Sequence, residues 1–197
     1  MKSPITIRAL VAAAALAVLA APAQAHVGIG AATSLSAGFG HPFSGLDHMA
    51  AMVAVGLWAA LKGGRAAWAW PAAFVGVMLA GGALGVAGVA LPLVEPGILA
   101  SVVVLGLLVA LAVDLPVAAG AAVIGLFALF HGHAHGAEIP ETAAGLDYLA
   151  GFALATALLH GAGIGAGLLV GARFRSGVRL AGAATAAIGL GLIAGAI

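Results

Sequence analysis

The apolar positions of this chain run in long, nearly uninterrupted stretches, separated by short punctuation of glycine, proline and charged residues. Six of them lie near residues 44–61, 67–91, 97–113, 116–134, 144–170 and 178–197. Each is long enough for a helix across the ~30 Å hydrocarbon layer of a membrane. The third is the shortest, and the fourth follows it closely. Asp114-Leu115-Pro116 makes a tight turn between them, with Pro116 suited to the start of a helix.

The apolar run Ala9–Ala20 is of another kind. Its 12 residues fall short of the ~20 that a span needs. Lys2 and Arg8 precede it, Pro22 ends it, and Ala23-Gln24-Ala25 has the small-x-small form of a cleavage site. Residues 1–25 therefore read as a secretory signal, with an uncleaved first span as the alternative. The mature chain then begins at His26, and residues 26–40 form a short external lead-in without clear periodicity. The expected fold class is all-α: a polytopic membrane helical bundle of six transmembrane helices, over residues 26–197, after a cleaved signal peptide.

Charge gives this bundle an orientation. Lys62 and Arg65 lie between the first and second stretches, Arg173 and Arg175 between the fifth and sixth, and Arg179 at the start of the sixth. The loops near Glu95 and Glu138–Glu141 carry no Lys or Arg. The positive-inside rule makes the cationic loops cytoplasmic. The expectation is a multi-pass protein of the bacterial inner membrane with both mature termini outside. Trp58, Trp68 and Trp70 flank the first cationic loop and are expected at the membrane interface.

Composition agrees and excludes much else. The 197 residues are 64% hydrophobic and 7% charged, against about 25% charged in soluble domains. A net charge of +1 gives nucleic acid no footprint. With no cysteine, disulfides, thiolate metal sites and thiol catalysis are excluded. The 31 glycines include Gly81 with Gly85, Gly161 with Gly165 and Gly163 with Gly167. Such spacing lets helices approach closely, so a compact bundle is expected rather than a wide pore.

Against this background the ionisable residues stand out, since a charge at mid-membrane costs roughly 2.5–3.5 kcal/mol on insertion scales. His41, Asp47 and His48 open the first stretch in HPFSGLDHMAAMVAVG. Imidazole and carboxylate suit borderline divalent metals. On a straight helix His41 and His48 share a face but stand about 10 Å apart. One ion can meet both only if the helix is irregular before Gly45; otherwise they belong to successive positions along a path. Asp47 can ligate directly or orient His48. Met49 and Met52 offer thioethers but fit core or lipid contact better.

A second cluster, FHGHAHGAE, ends the fourth stretch. On a continued helix His131, His135 and Glu138 form one stripe and His133 points elsewhere. An incidental metal-binding loop is the competing reading. Glu95 and Asp147 lie towards the same external side, where a solvated turn and a helix start explain them equally well. His160 alone lies near the cytoplasmic half, as an exit-side relay or a packing histidine. His26 would pair its imidazole with a free α-amino group after cleavage. GLDHMA at 45–50 recurs as GLDYLA at 145–150, which would make Asp47 and Asp147 equivalent if the halves were duplicated.

HPFSGLDH and FHGHAHGAE resemble the two motifs of the HupE/UreJ family of nickel and cobalt permeases. The signal segment and six spans resemble that family too, over nearly the whole chain. Five residues separate His41 from Asp47, unlike the four-residue version of the separate NiCoT family. The resemblance implies import of nickel, or cobalt, to supply a hydrogenase or urease. It makes His41, Asp47, His48, His131 and Glu138 the matching functional positions, with Glu95 matching less closely. His26, Glu95, His133, His135, Asp147 and His160 are further candidates for a metal path.

The expectation is a permease, with the divalent ion as substrate, the lipid bilayer as surroundings and no cofactor. No P-loop is present, so movement is facilitated diffusion or coupling to an ion gradient. The alternative from another class is an intramembrane zinc-dependent hydrolase. It lacks the HExxH signature and a nucleophile elbow, and Ser44 and Thr156 are its available hydroxyls.

Overall fold

The computed structural model describes residues 35–139, 143–171 and 174–197. The expected signal segment, His26, Glu141 and Arg173 lie outside these residues. The described residues form seven α-helices and one short 3-10 turn: α1 (Leu35–Gly40), the turn His41–Phe43, α2 (Leu46–Lys62), α3 (Ala66–Val86), α4 (Val94–Ala110), α5 (Val117–Glu138), α6 (Ala143–Gly171) and α7 (Arg175–Ile193).

Helices α3, α5, α7 and the Gly145–Gly171 part of α6 are long and apolar enough to cross a membrane. The first expected span is a broken one. Leu35–Phe43 and Leu46–Lys62 meet at an 83° bend, and the pair makes a fifth crossing if taken as one. The third stretch gives α4, an apolar helix of 17 residues, shorter than those four. It stops early because Leu111 caps it and Ala112 turns to a positive φ of 50°. The described residues thus hold four or five candidate spans.

Large apolar side chains face outward on α3, α4, α5, α6 and α7, among them Leu79, Leu107, Leu126, Leu158, Leu169 and Leu180. Each is a burden in water and at home in hydrocarbon. The interior is filled by Trp58, Trp70, Phe74, Phe152, Met52 and Met78. The chain is a multi-pass helical membrane protein.

Three helix pairs carry most of the packing: α3 with α5, α4 with α7, and α2 with α6. Glycine sets the first. A Cβ on Gly81 or Gly85 would run into the backbone of Leu129 or Ala137, and one on Gly132 or Gly136 into that of Met78 or Gly82. Gly163 meets Val53 and Gly56 of α2 in the same way, and Gly167 meets Ala60. The expected pair Gly161 and Gly165 faces open space instead, one turn face away from the α2 contact.

The lead-in is not irregular throughout, since residues 35–40 form α1 against α6. Its sequence carries no apolar stripe because the contact is made by backbone: a Cβ on Gly38 would strike Tyr148 O, and one on Gly151 would strike Leu35 O.

The tryptophans correct a second expectation. Trp68 is exposed, but Trp58 and Trp70 are fully buried with ring centroids 4.2 Å apart. Their indole N–H groups donate to Val113 O at 2.8 Å and Val117 O at 2.9 Å. Val113 O lies in the α4–α5 turn outside either helix, and Val117 is the first residue of α5. At this end Lys62 pairs with Asp114, and Arg179 Nε donates to Ala110 O at 2.7 Å. The bundle thus has a cationic end at the foot of α2. The histidines of α2 and α5 gather towards the other.

Candidate metal centre

The break in the first span builds one wall of the site. Ser44 N and Ser44 Oγ both donate to His41 O, at 2.9 and 2.7 Å, and close the 3-10 turn. Gly45 is extended, with φ −106° and ψ 123°, and α2 begins after it. The 83° bend folds His41 back over the start of α2. Its ring centroid lies 6.3 Å from that of His48, against the about 10 Å of a straight helix. Gly45 is needed for room: a Cβ there would lie 2.6 Å from Asp47 Oδ1 and 3.1 Å from His48 Nδ1.

Asp47 holds His48. Its Oδ1 accepts from His48 N at 2.7 Å and lies 2.8 Å from His48 Nδ1. A carboxylate only accepts, so Nδ1 carries the proton and Nε2 presents its lone pair. That Nε2 lies 2.5 Å from His135 Nε2, on the last turns of α5.

Helix α5 supplies the other wall because its helix runs through both glycines of FHGHAHGAE to Glu138. His131 and His135 lie one turn apart and both face His48, with ring centroids 4.8 and 4.6 Å from it. His135 also lies 4.4 Å from the His41 ring, and its Nδ1 is 4.0 Å from Glu138 Oε2. One ligand atom each from His41, His135 and Glu138 falls within 4.8 Å of the others, close enough for one ion.

The arrangement is graded in depth. Glu138 is exposed and His41 half-buried, while His48, His135 and His131 are buried. A carboxylate at the surface leads to neutral nitrogens inside. Borderline divalent ions accept both donor types, so the cluster can take an ion from water and replace its hydration shell stepwise.

Not every candidate joins it. His133 points away, as its helix position requires, and its Nε2 donates to Val89 O at 2.7 Å. That bond ties the end of α5 to the α3–α4 loop. Glu95 is exposed at the start of α4, close enough for its charge to act on Glu138. Asp147 is exposed, unlike Asp47. The repeated GLD therefore does not give two equivalent carboxylates at the cluster. His160 is buried deeper in the bundle. Met52 is fully buried in the core and Met49 packs against it.

Four residues were not singled out as site residues by the pattern. Phe152 lies 4.4 Å from the His135 ring, and Tyr148 lies 5.9 Å from that of His41. Together they form an aromatic wall on α6. Phe74 lies 5.7 Å from His131. Ser101, fully buried on α4, donates from Oγ to Ile98 O at 2.6 Å and lies 2.9 Å from His131 Nε2. The aromatics carry no signal that separates them from core. Ser101 does: it is the lone hydroxyl in the apolar run of α4.

The family model described as HupE / UreJ protein matches residues 14–192. Protein HupE of Rhizobium leguminosarum bv. viciae is 52% identical over 183 residues, covering 91% of this chain and 95% of that protein. No solved structure matches.

Proposed function

The chain belongs to the HupE/UreJ family, and from that premise we propose that it is a permease importing divalent nickel, or cobalt, across the bacterial inner membrane. The observation that carries the site is the meeting of His48 Nε2 and His135 Nε2 at 2.5 Å, with Asp47 behind His48. His41 and Glu138 complete the outer centre and His131 lies beneath it. Glu138 and Glu95 draw the cation to the mouth. His41 and His135 accept it with Glu138, and His48 takes it further while Asp47 offsets its charge.

Six crossings of the mature chain, with both termini outside, fit this role. The broken first span and the short α4 would be the two crossings beyond the four clear ones. Irregular backbone is tolerated at membrane depth where protein lines a path. The cationic end would then face the cytoplasm, and the histidine cluster would open outward. Entry must be favourable yet weak enough for release. The metal leaving on the inside would supply a nickel metalloenzyme such as a hydrogenase or urease.

The test is nickel-63 accumulation by cells lacking their own nickel transporters. Wild type is compared with His48→Ala and Glu138→Gln, normalised to membrane protein. Uptake by wild type that both substitutions abolish is the expected result. No uptake by well-expressed wild type would sink nickel import, and cobalt would be measured next.

A further inference from the structure

His160 has no role in the outer centre. On α6 it follows Phe152 by eight residues, about 12 Å further along the helix axis. Phe152 packs on His135, so His160 lies well below the cluster. It is 1% exposed, and both of its ring nitrogens are buried with no hydrogen-bond partner among the described residues. A neutral imidazole has one donor and one acceptor. Leaving both unmet in an apolar interior is unfavourable, and native proteins seldom tolerate it. Packing alone would be served better by leucine.

His131 extends the same feature upward. Ser101 has one hydroxyl proton, and it goes to Ile98 O. Towards His131 the Ser101 oxygen therefore accepts, from Nε2–H, at 2.9 Å. The lone pair of His131 is then on Nδ1, which is buried and unpartnered. Phe74 touches both rings, with centroids 5.7 Å from His131 and 4.9 Å from His160. The descent runs from His48 and His135, through His131 one turn down α5, to His160.

We propose that His160, approached from His131 Nδ1, is a second, inner station for the transported divalent ion. This rests on the transport reading above. The station offers neutral nitrogen, with no carboxylate on α6 beyond Asp147. Imidazole nitrogen prefers borderline divalent ions to magnesium or calcium, which require oxygen. Lacking a counter-charge, the station holds the ion weakly and favours onward passage. The outer centre captures; the inner station filters and releases.

The test measures initial rates of nickel-63 uptake over a range of external nickel for wild type, His160→Leu and His160→Cys. Melting temperatures of the purified full-length proteins are measured in detergent. His160→Leu should melt no lower than wild type, because two unmet polar atoms are removed. Its maximal rate should nevertheless fall at least tenfold, with KM within about twofold, since the outer centre is intact. His160→Cys places a single thiol in a chain that has none. Its uptake should become at least tenfold more sensitive to cadmium than that of wild type.

Wild-type rates in His160→Leu would overturn the station, and His160 would then be served by water alone. A Leu variant losing stability and rate together, with no added cadmium sensitivity in the Cys variant, would also overturn it and leave a packing residue. Uptake of neither nickel nor cobalt by wild type would overturn the transport reading and the station with it.

Discussion

His48 Nε2 and His135 Nε2 face each other at 2.5 Å although 87 residues separate them in the chain. Three local features bring them together. Gly45 lets α2 start without a side chain against Asp47, Asp47 fixes the His48 ring, and α5 continues through Gly132 to present His135 and on through Gly136. Those same glycines let α5 lie against α3. The motif residues that build the fold and those that form the histidine cluster are thus interleaved.

Asp47 acts through His48. Asp47→Asn keeps an oxygen near His48 Nδ1 and removes the charge that fixes the tautomer. Loss of such a carboxylate behind a histidine ligand typically costs about 10–100-fold in metal affinity. The expected outcome is a rise of that order in the KM for nickel-63 uptake, at unchanged protein level. A KM equal to that of wild type would show that Asp47 does not serve the ligand.

Gly45 tests the bend separately from the ligands. Its φ of −106° and ψ of 123° suit any residue, so Gly45→Ala carries no backbone strain. The added methyl instead pushes on Asp47 Oδ1 and His48 Nδ1. Gly45→Ala should keep its membrane level and melting temperature within a few degrees while uptake falls several-fold. Full activity would mean that the Asp47–His48 pair need not stay where it is.

External pH acts on the histidines through competition. A protonated imidazole has no lone pair for a metal, and histidine ordinarily titrates near pH 6.5. The charged form is gained as pH falls, so the effect must be a loss of uptake towards acid. Uptake at sub-saturating nickel should decline steadily from external pH 7.5 to 5, and raised nickel should restore part of it. Unchanged uptake across this range, at constant protein level, would count against histidine ligation.

The fold was legible where the membrane dictates pattern. Lipid demands long apolar helices, so the stretches at 67–91, 116–134, 144–170 and 178–197 became α3, α5, α6 and α7 with shifted ends. Where backbone chemistry overrides hydropathy, the pattern fails. Nothing in the apolar count marks the break at Gly45, yet the spacing of His41 and His48 already required irregularity there if one ion was to meet both. Helix α1 was hidden because it packs by glycine contact. Trp58 and Trp70 looked interfacial because composition cannot tell an indole facing headgroups from one reaching a carbonyl inside. At the site, the His131–His135–Glu138 stripe followed from helical spacing. The pairing of His48 with His135 did not, because only the tertiary packing sets it. The role of Ser101 was hidden for the same reason.

Trp58 and Trp70 should hold the cationic end shut, and stability is the property to measure. Trp58→Phe keeps an aromatic ring against Trp70 but removes the N–H that meets Val113 O. An unmet carbonyl in a partly buried place costs about 1–3 kcal/mol. The loss of ring area adds to that, so the purified protein should melt several degrees lower in detergent. Trp70→Phe should cost less, because Val117 opens α5 and its carbonyl keeps the helix's own N–H partner four residues on. The two rings touch, so the double substitution should cost a different amount from the sum of the single ones. The carbonyls lie on either side of the α4–α5 turn, and Lys62 reaches Asp114 in the same turn. Weakening the indole bonds should therefore loosen the turn before the outer centre is affected. Hydrogen exchange would show this as faster labelling around residues 111–117 with unchanged labelling around residues 131–138. Equal loosening at both ends would mean that the bundle opens as one unit and that the tryptophans serve general packing.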